Sequence, residues 1–148
     1  MRVMVFSQTP ACGVMPDPKK WLGTGRSVVN LLVCFAKSMP FAVGLAANQV
    51  EVDGKRLSHR FFMMNIGGTW LVCLNPCIVN KYGRPFMAEE ECLSWPGRVL
   101  GAKRWLAVDA DYCDESGCKI SGRRLDGWPA QIFQHETDHL NGVILNEL

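Results

Sequence analysis

The chain has 148 residues, 48% of them hydrophobic and 20% charged, so it is predicted to form a single globular domain over residues 1–148. A net charge of +2 with dispersed basic residues argues against direct nucleic-acid binding. No stretch approaches the roughly 20 apolar residues that a membrane-spanning helix needs, so we expect no membrane segment.

The first half of the chain is predicted to be a strand, a loop and a helix. A short N-terminal strand precedes a Pro- and Gly-rich loop at residues 9–25. Apolar residues then recur at helical spacing from Val28 to Met39, and Pro40 follows. Strand-like runs come next at 61–65, 70–74, 78–82 and 105–111, with turn chemistry between them, and they are most simply paired antiparallel.

A second helix is predicted near the end of the chain. Pro129 is a favoured first-turn residue and Gly142 a favoured helix terminator. The order of helix, strands and helix predicts an α+β fold, with antiparallel β-sheets around a C-terminal helix that carries the motif HExxH, a pattern typical of metal binding. The inward face of that helix is expected to carry Ile132, His135, Glu136 and His139.

The seven cysteines form an odd set without a CxxC pair, which disfavours a disulfide framework and favours a reducing compartment. Cys34 and Cys73 lie in apolar runs and are predicted to be core residues. The N-terminal apolar segment is too short for a secretory signal. We therefore expect a cytoplasmic protein.

The C-terminal helix contains HExxH, in which His135 and His139 lie one turn apart on the same side and can share a metal ion. Glu136 is rotated by about 100° from His135, so it can reach a metal-bound water without being a ligand. His59, the remaining histidine, sits in a polar run and is predicted to be a loop residue. This pattern is typical of a hydrolase.

A catalytic metal typically has three protein ligands and a water, so one ligand is missing. The metzincin pattern HExxHxxGxxH continues as far as Gly142, but Leu145 stands where its third His belongs. A thermolysin-like site needs a Glu well downstream, and Glu147 is the sole carboxylate after His139. The third ligand is therefore predicted upstream, where the thiolate of Cys92 suits iron or zinc.

Three segments together resemble the peptide deformylase family, whose motifs are GΦGΦAAxQ, EGCLS and QHExDHL, where Φ is hydrophobic. The chain has AVGLAANQ at 42–49, EECLS at 90–94 and QHETDHL at 134–140, in the family's order. The resemblance extends from about Phe41 onward. Two motif glycines are replaced, by Ala42 and Glu91, and the chain is similar to a short form that lacks a C-terminal extension.

The resemblance implies a hydrolase that removes the N-formyl group from N-formylmethionyl nascent peptides, with release of formate, and that meets them at the ribosome. It also implies a protein of the bacterial cytoplasm, encoded by a bacterium or by a phage in a bacterial host, and an organelle only if a transit peptide is absent from this sequence. It implies one divalent metal ion per chain, Fe²⁺ first and Zn²⁺ or Ni²⁺ as alternatives. The implied ligands are Cys92, His135 and His139. Glu136 would transfer the proton, and the oxyanion would be held by the Gln49 side chain and the backbone N–H of Leu93.

The family resemblance also implies the residues that bind the peptide. Val43, Gly44 and Ile132 fall at positions that line the pocket for the methionine side chain. The peptide could lie extended along the Gly44 segment as an added strand. Glu90 and Glu91 complete the expected substrate-binding set, and Glu91 is expected to alter the rim of the cleft.

Alternatives remain open from the residues alone. The site could belong to another Cys/His/His metallohydrolase, such as a protease acting on a different amide, and Glu91 is the feature that favours this. It could also be a non-catalytic metal module in which a fourth ligand closes the site. Glu90 either pairs with Arg104 or Lys103 or is a solvated surface charge.

Overall fold

The computed structural model describes residues 2–5, 9–92, 95–143 and 146–147, with the main chain alone at 95, 96, 146 and 147. Within these ranges the chain forms two α-helices and a set of mostly short β-strands. The helices are α1 (Pro18–Ser38) and α2 (Trp128–Leu140), and a 3₁₀ turn covers Ala47–Gln49. The strands are β1 (Val3–Val5), β2 (Gly44–Ala46), β3 (Val50–Val52), β4 (Lys55–Arg56), β5 (Phe61–Ile66), β6 (Thr69–Tyr82), β7 (Phe86–Cys92), β8 (Trp95–Arg104), β9 (Ala107–Cys113), β10 (Lys119–Asp126) and β11 (Asn146–Glu147).

The strands form three sheets in which the paired strands are antiparallel. Their orders are β1-β3-β4, β10-β9-β6-β5-β2 and β11-β8-β7. The predicted α+β class with antiparallel sheets and a C-terminal helix is confirmed. Strands β2 and β7 each lie at the edge of their sheet.

Helix α2 packs against the five-stranded sheet through a buried aromatic contact. Phe133 of α2 meets Phe62 of β5 edge-on, with 5.1 Å between the ring centroids. Both side chains are fully buried. Gly127 and Gly142 adopt positive φ at the two ends of the helix, a conformation that glycine adopts without steric cost. The face of the helix that carries His135 and His139 is turned toward the interior, where both side chains are buried.

The N-terminal segment and Arg60, which directly precedes β5, hold the C-terminal end of α2. The Cys12 N–H donates to the Leu140 carbonyl over 2.8 Å. The buried Arg60 donates to that carbonyl over 3.4 Å, to the Asn141 side chain over 2.8 Å, and to two further carbonyl oxygens. A single buried guanidinium therefore satisfies several acceptors that the helix end would otherwise leave open.

Helix α1 begins earlier than predicted. Asp17 caps the helix by accepting a hydrogen bond from the Lys20 N–H over 3.0 Å, and Pro18 occupies the first turn. The prediction of a loop as far as residue 25 was therefore wrong, because the cap signal outweighs the glycines at 23 and 25. Cys34 is exposed on α1, contrary to the prediction that it is a core residue, whereas Cys73 is buried as predicted.

Two of the predicted strand runs, 70–74 and 78–82, belong to one long strand, β6. Register shifts on either side of Ile78 bend the strand without ending it. Pro76, which cannot donate to the ladder, lies within the first irregularity. Strands β2, β3, β4, β7, β8, β10 and β11 were not predicted. His59 is exposed, as expected of a loop residue, and packs on the Trp21 ring. In the described ranges, no helix is long and apolar enough to cross a membrane.

Candidate metal centre

Three side chains that can bind a metal converge between β7 and α2. Cys92 ends β7, and His135 and His139 lie one turn apart on α2. The Cys92 Sγ is 3.3 Å from the His139 Nε2, which is 3.1 Å from the His135 Nε2. All three residues are buried. Among the described residues, they are the one group of three His, Cys, Asp or Glu side chains placed closely enough to bind a single metal ion.

The spacing of these donors fits a tetrahedral ion. A metal bound at about 2.0 Å by nitrogen and about 2.3 Å by sulfur would hold its ligand atoms roughly 3.3 to 3.5 Å apart. The observed separations of 3.1 and 3.3 Å are close to those values. One thiolate and two imidazoles are a donor set for iron, nickel or zinc, and three protein ligands leave a fourth position for water or substrate.

Glu90 orients the first histidine ligand. The His135 Nδ1 lies 2.9 Å from the Glu90 Oε1, so Nδ1–H donates to the carboxylate and Nε2 is directed to the other donors. Arg104 donates to both oxygens of Glu90, over 2.8 and 3.0 Å, and Gln131 donates to Oε2 over 2.9 Å. Burial by itself would raise the pKa of Glu90, but the bonds from His135 and Arg104 outweigh it and lower the pKa to about 2.

Arg104 also connects this network to α2. The guanidinium is 3% exposed and donates a second ion-pair bond to Asp138 at 2.5 Å. The sequence left Glu90 with two interpretations, and the pairing with Arg104 is the one observed. Asp138 pairs with Arg104 and not with a histidine ring.

Glu136 is buried beside the ligands without joining them. Its Oε1 lies 3.9 Å from the His135 Nε2, and within the described part of the chain its Oε2 has no hydrogen-bond partner. Burial raises the pKa of Glu136 to about 7, so the carboxyl can exchange a proton near neutral pH. An unpartnered carboxylate oxygen in the interior indicates a position for water or substrate.

Gly44 of β2 makes room for Glu136. A methyl group at Gly44 would lie 2.7 Å from the Glu136 Oε1 and about 3 Å from two of its carbons. The motif glycine therefore permits close approach of the β2 backbone to the carboxylate.

Gln49 directs its amide at the Cys92 sulfur. The Gln49 Nε2 donates to Sγ over 3.7 Å, and its Oε1 accepts from the Ala46 N–H over 2.9 Å. The side chain is 1% exposed, so its orientation is fixed by these contacts. Leu93 and Ser94 lie outside the described residues, and the predicted role of the Leu93 N–H is untested.

A cavity of about 510 Å³ opens between the edge strands β2 and β7, with α2 on one side. The predicted substrate-binding residues all line it: Val43, Gly44, Glu90, Glu91 and Ile132. The two oxygens of Glu90 are engaged by its network, whereas the Glu91 side chain is exposed.

Sequence reasoning missed several residues around the site. Gln131 lies one turn before His135 on the same helical face, so the helical period could have identified it. Gln134 makes two 2.8 Å hydrogen bonds with the Trp105 backbone and so fixes α2 to the β8–β9 connection, a long-range contact that no local pattern indicates. Phe41 and Trp128 are exposed aromatic residues of the cavity lining.

Comparisons of the sequence and the structure with known proteins point to the same family. A family model described as polypeptide deformylase matches residues 24–147. A peptide deformylase of Thermotoga neapolitana is 40% identical over 103 residues, which are 70% of this chain and 59% of that protein. The chain thus spans about three fifths of the length of this relative.

Solved structures of similar proteins share the fold. The peptide deformylase of Thermotoga maritima superposes with a TM-score of 0.71 at 30% identity, covering 97% of this chain and 92% of that chain. That of Synechococcus elongatus, solved in complex with actinonin, gives a TM-score of 0.72 at 28% identity, covering 97% and 75%.

Proposed function

The chain belongs to the polypeptide deformylase family, and we propose that it removes the N-formyl group from the N-terminal formylmethionine of nascent peptides, releasing formate. The observation that carries the proposal is the unpartnered Oε2 of Glu136, buried at the inner end of the cavity beside three convergent metal donors. A structural metal site has no use for such a carboxylate.

Cys92, His135 and His139 would hold one divalent ion, with Fe²⁺ proposed first and Zn²⁺ or Ni²⁺ as alternatives, because all three accept sulfur and imidazole ligands. When bound, the ion supplies Lewis acidity that activates water at neutral pH. Glu90 accepts a hydrogen bond from the His135 Nδ1–H, which leaves Nε2 unprotonated and available to the ion.

Glu136 serves as the general base and acid in this proposal. Its carboxylate takes a proton from the attacking water and returns it to the amine that leaves the formyl carbon. A pKa near 7 lets one group do both at neutral pH. Because Oε2 has no partner within the described residues, it is available for the water.

Gln49 is proposed to stabilise the negative charge that develops on the formyl oxygen when water attacks the formyl carbon. Its amide is already aimed at the cluster, since it reaches the Cys92 sulfur over 3.7 Å. A donor held in place before the reaction spends no energy on reorientation, and loss of such a donor typically costs about 3 to 4 kcal/mol in the barrier. The Leu93 N–H is proposed as the second donor.

The peptide would bind in an extended conformation between the two sheet edges. The open edge of β2 at Gly44 can pair with a peptide backbone, and β7 offers a second edge across the cavity. Ile132 and Val43 would contact the methionine side chain. Backbone pairing does not depend on side chains, so many nascent chains would be accepted.

We also propose that residues 1–148 form one catalytic domain and that the enzyme works in the cytoplasm, where formylated chains emerge from ribosomes. The reducing environment matches the seven cysteines, which are free in the structure.

The test is formate release by anaerobically purified protein loaded in turn with iron, nickel or zinc and given formyl-Met-Ala-Ser. We expect formate with at least one metal. No formate with any of them would refute the deformylase proposal, and release of an amino acid in place of formate would favour a protease.

A matched pair of variants separates a catalytic from a structural metal. Glu136→Gln should retain the metal and its fold but lose at least about a hundredfold in turnover, since a general base contributes about that much or more. Glu115→Gln changes the same charge in an exposed turn outside the cavity lining and should behave as the native protein. Equal turnover of the two variants would support the non-catalytic metal module.

A further inference from the structure

The mouth of the cavity carries negative charge that the known parts of the site do not use. Its described lining includes four glutamates and no lysine or arginine. Glu90 is neutralised by Arg104, and Glu136 is buried beside the metal donors. The charge that faces a ligand at the entrance therefore comes from Glu89 and Glu91.

The alternation of β7 places these two carboxylates together. Ala88, Glu90 and Cys92 are buried on one face of the strand, whereas Glu89 and Glu91 are exposed on the other. Their partners across the β7–β8 ladder are Gly101 and Val99, neither of which is charged.

Within the described residues, neither Glu89 nor Glu91 forms an ion pair. Two basic residues of β8, Arg98 and Lys103, lie close to this part of the β7–β8 ladder. Lys103 pairs with Met87 in the ladder, and its Nζ lies 5.3 Å from the Trp105 ring centroid. Arg98 is a neighbour of Val99 and already has another interaction.

The other exposed side chains of the described lining are apolar. Phe41 is 99% exposed, Trp128 is 56% exposed and Val43 is 37% exposed. The described lining contains no lysine or arginine that would offset the two carboxylates. A ligand that enters therefore meets both aromatic and acidic side chains, and the unpartnered Oε2 of Glu136 marks the buried end at which a ligand is expected.

We propose that Glu91, supported by Glu89, sets the substrate preference of this enzyme by charge: it favours formylated peptides with Lys or Arg directly after formylmethionine and disfavours those with Asp or Glu. This rests on the proposed deformylase function. Glu91 stands where the family motif has glycine, so the device belongs to this chain and not to the shared catalytic apparatus.

The position after formylmethionine follows from strand geometry. An extended peptide alternates its side chains between two faces. When the methionine side chain points inward, on the side of Glu90 and Cys92, the next side chain points outward, on the side of Glu89 and Glu91. Side chains on neighbouring strands of one face lie close enough for opposite charges to attract and like charges to repel.

The experiment compares formyl-Met-Lys-Ala with formyl-Met-Glu-Ala in the native enzyme, Glu91→Gln, Glu91→Gly and Glu115→Gln. We expect the native kcat/KM to favour the lysine peptide about tenfold, mostly through KM, as two modest charge effects of opposite sign would give. Both Glu91 variants should lower that ratio to about threefold, since Glu89 remains, and Glu115→Gln should keep the native ratio. In 1 M salt, where the screening length is about 3 Å, the native ratio should fall toward one.

An unchanged Lys-to-Glu ratio in both Glu91 variants would overturn the proposal while leaving deformylation intact. Absence of formate from every peptide would instead overturn the proposed function. In that event, binding of the same peptides, measured by isothermal titration calorimetry, still tests the charge preference. Equal affinity for the two peptides would refute it.

Discussion

Replacement of Gly44 by alanine is a sharp test of the site geometry. The added methyl group would lie 2.7 Å from the Glu136 Oε1, whereas ordinary contacts begin at 3.4 Å, so one of the two must move by 3.4 − 2.7 = 0.7 Å. The Glu136 Cδ and Cγ lie at 3.0 and 3.1 Å, so a simple rotation of the carboxylate does not relieve the contact.

The displacement predicts a large loss of activity with a smaller loss of stability. Overpacking of a dense interior typically costs about 1 to 3 kcal/mol, and misplacement of a catalytic group by about 1 Å can cost roughly a hundredfold in rate. We expect kcat/KM for formyl-Met-Ala-Ser to fall about 10- to 100-fold in Gly44→Ala, with metal content unchanged.

The control is Gly23→Ala, because Gly23 lies on the exposed side of α1 with nothing within 4 Å of the added methyl. This variant should be about 0.5 to 1 kcal/mol more stable than the native protein and equally active. Formate release and urea unfolding measure both properties. Activity of Gly44→Ala within twofold of Gly23→Ala would refute the close-approach argument.

Two further predictions concern buried charges. Glu90→Gln leaves Arg104 without its bidentate partner, so we expect about 3 kcal/mol less unfolding free energy in urea and about 10- to 100-fold weaker metal affinity in a chelator competition. Unchanged metal affinity would show that His135 does not need this carboxylate. Arg60→Met removes the donor that holds the C-terminal end of α2, and we expect urea unfolding to show about 3 kcal/mol of destabilisation. A loss of unfolding free energy below about 0.5 kcal/mol would show that Arg60 does not hold the helix end.

Local sequence patterns were sufficient for the parts of the protein that depend on local physics. The spacing of His135 and His139 fixes two donors on one helical face whatever surrounds the helix. The helix around them was predicted to within about two residues because Pro129 and Gly142 are strong end signals. The edge strands β2 and β7 were not predicted. Strand β2 has only three residues and β7 contains three consecutive glutamates, so neither shows much strand propensity.

The sequence by itself determined the chemistry of the donors: one thiol, two imidazoles at ligand spacing and a carboxylic acid between them. Cys92 was identified by elimination and by family resemblance, because a ligand 43 residues upstream of His135 has no periodic relation to it. Only the tertiary structure brought that sulfur to within 3.3 Å of an imidazole nitrogen and closed the network from Asp138 through Arg104 and Glu90 to His135. Such contacts depend on how sheets and helix pack, and packing is a property of the whole chain.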